Sequence, residues 1–87
     1  MTSDQVRHEK HEVVLKVGPY ANSDVAVSFE PSGMMYELVA GDWLSVVIKG
    51  HGSGLVEIGH TPSALVIGAW AEADTEVWTS DGHRLEV

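Results

Sequence analysis

The chain of 87 residues contains no cysteine, so neither a disulfide framework nor a thiolate metal centre can hold its fold together. Positive charge is scarce: 5 Lys and Arg stand against 13 Asp and Glu, a formal net charge of −8. A surface so poor in cations lacks the groups that displace counterions from a phosphate backbone or an anionic bilayer, which argues against nucleic acid and membrane as partners. No window approaches the ~18 apolar residues that a membrane-spanning helix needs. The opening segment, Met1-Thr2-Ser3-Asp4-Gln5-Val6-Arg7-His8, has no apolar core of signal-peptide length. With the lack of cysteine, this predicts a soluble, cytoplasmic protein. Helical periodicity is missing as well. Ala71–Asp74 is the only place for a helical turn, and so short a piece makes a poor helix.

What the chain does have is short β-branched runs punctuated by turn residues. In Glu12–Val17, Val13, Leu15 and Val17 share one face. Asp24–Glu30 alternates most cleanly, with Val25, Val27 and Phe29 opposite Asp24, Ala26, Ser28 and Glu30. That is the pattern of a half-buried strand with a wet outer face. Pro31-Ser32-Gly33 then turns the chain. Met35–Val39 and Trp43–Lys49 flank Ala40-Gly41-Asp42 and predict a hairpin, with Tyr36, Leu38, Leu44, Val46 and Ile48 inward. Gly50-His51-Gly52-Ser53-Gly54 is a flexible or tightly bent connection. Val56 and Ile58 continue the inward series, and Leu65–Trp70 reads as a central strand apolar on both faces. Ser80-Asp81-Gly82 between Thr75–Thr79 and His83–Val87 is a strong hairpin signal.

The expectation is therefore all-β: a small antiparallel β-sandwich or flattened, jelly-roll-like barrel of seven or eight short strands. Residues 1–11 read as a polar tail or edge segment, and residues 12–87 as a single β domain whose last strand closes a sheet edge at Val87. Its core should contain Val25, Val27, Phe29, Tyr36, Leu38, Leu44, Val46, Ile48, Val56, Ile58, Leu65, Ile67 and Leu85.

Reactive constellations are thin. His8 and His11, three apart with Glu9 and Glu12 around them, would clamp a metal only on a helix that lacks caps here. His51, Glu57, His60 and His83 could form a two-His-one-carboxylate set, but no His-x-His occurs, and the strand register makes Glu57 and His60 diverge. Gly52-Ser53-Gly54 has no helix behind it to make a nucleophile elbow, and no lysine to make a phosphate loop. Glu72, Asp74 and Glu76 lack the order of a calcium loop. The reading is no enzyme, no metal site and no cofactor.

The tryptophans carry the functional signal. Alternation places Trp43 on an outer face beside Val47, and puts Trp78 on the same side as Glu76 whenever Val77 is buried. Exposed indoles near one another mark a contact surface. The leading expectation is a non-catalytic protein-binding module of the inhibitor, immunity-type or accessory-subunit kind. Trp43, Val47, Trp78 and Glu76 would form its partner surface, and its partner would be a basic protein or its own copy in a homo-oligomer. The rivals are a carbohydrate-binding module that stacks sugars on the tryptophans and a small cupin-like metal enzyme using His51, His60 and His83.

Overall fold

The computed structural model describes residues 9–20 and 22–87. Eight strands follow in chain order: β1 (Lys10–Val17), β2 (Val25–Glu30), β3 (Met34–Leu38), β4 (Leu44–His51), β5 (Glu57–His60), β6 (Ala64–Gly68), β7 (Asp74–Thr79) and β8 (Arg84–Leu85). They form two four-stranded sheets, sheet A in the order β1-β4-β7-β8 and sheet B in the order β3-β2-β6-β5. The architecture is the all-β sandwich that the alternation predicts. No helix occurs among the described residues; Ala71 and Glu72 make a plain turn closed by the Ala73 amide on the Trp70 carbonyl at 3.1 Å, and Asp74 already begins β7.

Core positions follow the period-two rhythm because successive side chains of a strand point to opposite faces. Val27, Phe29, Leu38 and Ile67 of sheet B meet Val17, Leu44, Val46, Ile48 and Val77 of sheet A, and all are buried. Val25, Tyr36, Val56, Leu65 and Leu85 are half-buried, and all of these but Val25 pack directly against that cluster. Trp70 is also buried. Its indole N–H donates to the His51 carbonyl at 2.9 Å, and the His11 ring meets it edge-on.

Three hairpins form where turn residues stand: β2–β3 across Pro31-Ser32-Gly33, β5–β6 across Thr61-Pro62-Ser63, and β7–β8 across Ser80-Asp81-Gly82. The expected hairpin of residues 35–39 with 43–49 does not form. β3 pairs with β2, whereas β4 pairs with β1 and β7, so the chain crosses from sheet B to sheet A at Gly41. The crossing segment is tied to the loop after β1 instead. The Gly41 amide donates to the Tyr20 carbonyl and the Ala40 amide to Asp24 Oδ1, each at 2.8 Å. Burial is unaffected, because Tyr36 and Leu38 reach the core from one sheet while Leu44 and Val46 reach it from the other. The strands are antiparallel except β2 and β6, which run parallel. A parallel pair needs a long crossover, and here the chain passes through β3, β4 and β5 in between.

Ile58 corrects the expected core. It lies on the inward side, opposite buried Ile67, yet it is 59% exposed, because the edge strand β5 overhangs the opposing sheet. The glycine-rich segment after β4 resolves to the tightly bent alternative. Gly52, at φ +133°, packs so closely on Trp70 that an added Cβ would stand 2.6 Å from the ring. β1 begins at Lys10, so Lys10 and His11 of the expected polar segment are strand residues paired with His51 and Gly50. His8, the other half of the imagined metal clamp, lies outside the described residues.

Chemical denaturation should separate these environments. Ile48→Ala removes a fully buried side chain and is expected to cost about 2–5 kcal/mol. Ile58→Ala should stay within about 0.5 kcal/mol. Gly52→Ala, strained in backbone and crowded by Trp70, should lose about 1–3 kcal/mol. Equal losses at Ile48 and Ile58 would contradict this packing.

Candidate functional site: the outer face of sheet A

Cross-strand partners lie on the same face of a sheet, so the register writes out the surface. On the outer side of sheet A, one row runs Val14–Val47–Glu76 and the next runs Lys16–Ser45–Trp78–Arg84. On the far side of Val47 lies the row Glu12–Lys49–Asp74. Trp43 immediately precedes β4 and points the same way, since Lys16 Nζ sits 4.9 Å from its ring centre. The expected partner residues Trp43, Val47, Glu76 and Trp78 are thus gathered on one face. Val77, between Glu76 and Trp78, is completely buried, which fixes the outward direction of its neighbours.

Trp43 is held from its loop. Asp42 Oδ1 accepts the Trp43 amide at 2.8 Å and also the Ser80 hydroxyl, linking the entry to β4 with the β7–β8 turn. Trp78 stands within reach of the Arg84 guanidinium, 5.9 Å from the ring centre. The two indoles are half-buried, and each has a cation beside it. Val14 is 63% exposed and leaves an apolar step between the charged rows.

Glu76 is the electrostatic centre of this face. Its carboxylate meets Lys49 Nζ at 3.0 Å. The hydrogen bond and charge of Lys49 hold the Glu76 carboxyl below the usual range, and the Trp78 indole N–H and Arg84 act in the same direction. Reciprocally, Glu76 raises Lys49 above the ordinary lysine value, with smaller help from Glu12 and Asp74.

Every lysine and arginine among the described residues (Lys10, Lys16, Lys49 and Arg84) lies on this one face. Net charge concealed that, because a sum over the chain carries no position. Among the described residues, the outer side of sheet B has Glu30, Glu37 and Glu57 and no lysine or arginine.

The remaining histidines do not converge. His51 ends β4 beside the start of β1, whereas His83 lies in the β7–β8 turn at the other end of those strands. His60 ends the edge strand of the opposite sheet. Among the described residues no three His, Asp or Glu side chains come together as a metal-holding group. A recess of about 420 Å³ does bring His60 near Asp24, Ser63 and Tyr20. Its polar groups are engaged in turns: Asp24 accepts the Ala40 amide, and Thr61 Oγ1 accepts the Ala64 amide at 3.0 Å. A second recess, about 530 Å³, opens between β7 and the Glu30-Pro31-Ser32 turn. Lys49, Glu76 and Arg84 rim it, and no histidine lines it.

No protein-family model, curated protein or solved structure matches this chain.

The pair Lys49–Glu76 sets a pH dependence with a defined sign. Because the folded-state pKa of Glu76 is depressed, its stabilising contribution is present above the ordinary glutamate range and is lost as pH falls through the lowered value. Because that of Lys49 is raised, its contribution is present below the ordinary lysine value and is lost as pH rises through the raised one. In a carboxyl-detected NMR titration, Glu76 should titrate below the ordinary glutamate value, and Lys49→Met should move it upward. An unmoved Glu76 would show that Lys49 does not govern it.

Proposed function

We propose that the protein is a non-catalytic recognition module that engages a protein partner through the outer face of sheet A. The observation that carries this reading is the assembly on one rigid sheet of Trp43, Trp78, Val14 and Val47 with the chain's described cations. Aromatic and arginine side chains around an apolar step are the composition of protein-contact centres. Strands hold them in place without further ordering on binding, which lowers the entropy cost of association. Complementarity favours a partner surface that presents acidic groups, in place of the basic partner that net charge alone suggests.

Sugar stacking has less support. A stacking platform needs a free ring face, and Lys16 and Arg84 stand beside the two candidate indoles. A metal-enzyme role has less again, since His51, His60 and His83 belong to separate parts of the fold. No helix among the described residues is long and apolar enough to cross a membrane.

A photo-reactive amino acid placed at Val47 should yield protein adducts in the native host, whereas the same group at Asp81, in the exposed β7–β8 turn, should not. Trp43→Ala with Trp78→Ala should abolish the Val47 adducts while the domain stays folded. Adducts equal at both positions, or oligosaccharide-induced changes in tryptophan fluorescence with no protein adduct, would overturn the reading.

A further inference from the structure

The outer face of sheet B answers that of sheet A in charge. Its central row is Met35–Ser28–Val66–Gly59, small or apolar throughout. Ser28 is only 7% exposed although it points outward between buried Val27 and Phe29. Met35, at 58% exposure, stands at one side. On one side of this row lies Glu37–Ala26–Ala64, and on the other Glu30–Gly68–Glu57. The second of these rows has a carboxylate at each end and bare backbone between. On sheet A, the row Lys16–Ser45–Trp78–Arg84 has a cation at each end, an indole between and no acid.

We infer that the partner of the sheet A face is a second copy of this chain, received on the outer face of sheet B, with the Lys16–Trp78–Arg84 row laid over the Glu30–Gly68–Glu57 row. This rests on the sheet A face being a protein-contact surface, and it adds the identity of the partner. With strands about 4.8 Å apart, the two carboxylates of the row stand about 10 Å apart at the backbone and the two cations about 14 Å. The long, jointed Lys and Arg side chains span that difference. Gly68 offers the indole a floor without a side chain: a Cβ built there would meet nothing closer than 3.8 Å.

The contact joins two different faces of the same molecule, so it is heterologous and propagates from copy to copy instead of stopping at a two-fold dimer. A sheet face of four strands is about 19 Å wide and about 17 Å long. That lies below the roughly 800 Å² per partner of a stable pair. Association is therefore weak and concentration-dependent. The net charge of −8 opposes it at long range, a repulsion that is largely screened beyond about 8 Å at physiological salt.

Sedimentation velocity at physiological salt, up to about 1 mM protein, tests the inference with two variants of exposed residues. One carries Lys16→Glu and Arg84→Glu, reversing the sheet A row; the other carries Glu30→Lys and Glu57→Lys, reversing the sheet B row. Wild type should gain mass with concentration beyond the dimer. Each variant alone, checked as folded by circular dichroism, should remain monomeric, and their equimolar mixture should regain mass. A wild type monomeric throughout overturns the inference, as does a variant that associates like wild type or a mixture that stays monomeric. A two-fold contact through one face would show itself as loss in one variant only, and that too overturns it. Photo-adducts at Val47 with some other protein would then leave the sheet A reading standing, whereas their absence would remove both.

Discussion

The two sheets are held together by side chains that interleave without a disulfide. Val27, Phe29 and Ile67 from sheet B close against Val46, Ile48 and Val77 from sheet A. A chain this short has room for one such layer. Because strand side chains alternate strictly, burying Val46, Ile48 and Val77 forces Val47, Glu76 and Trp78 to the opposite side. The composition of the outer face of sheet A is thus a by-product of the core: a one-residue slip of β4 or β7 would bury the charges and expose the aliphatics.

That coupling explains why the tryptophans differ in role. Trp70 follows β6 and turns into the interior, where its N–H finds the His51 carbonyl and its ring supports the glycine bend after β4. Trp43 and Trp78 belong to outward positions and meet cations. A buried indole needs a partner for its single donor, whereas a surface indole can offer its face. Asp42 has a supporting part in this division, since it ties the entry to β4 to the β7–β8 turn and so holds Trp43 in place.

Electrostatics divides the molecule further. Among the described residues, the lysines and the arginine collect on sheet A, while the charged groups of the outer face of sheet B are carboxylates alone. Within sheet A, Lys49 pairs with Glu76, while the row from Lys16 to Arg84 has a cation at each end and no acid of its own. An acidic protein with such a row is dipolar across its thickness. This geometry favours contact between unlike faces over contact between like ones.

Much of the fold was legible in the residues. Alternation in Asp24–Glu30 and Trp43–Lys49 specified inside and outside, and Asp81-Gly82 specified the last hairpin, because both signals are local. The clustering of Trp43, Val47, Glu76 and Trp78 was legible for the same reason: each residue's face follows from its buried neighbour. Strand partners were not. The turn at Gly41 looks the same whether the chain folds back within a sheet or crosses to the next, and only the ties to Tyr20 and Asp24 decide it. Ile58 misled because alternation gives a direction, while burial depends on whether another sheet lies opposite. The gathering of Lys10, Lys16, Lys49 and Arg84 was hidden too, since they come from three strands distant in the chain. The linear order of residues determined which way each side chain faces, a property of one strand's pleat. Which strands lie side by side, and so which charges and rings share a surface, was decided only by tertiary packing, because backbone hydrogen bonds between strands do not depend on the side chains that identify them.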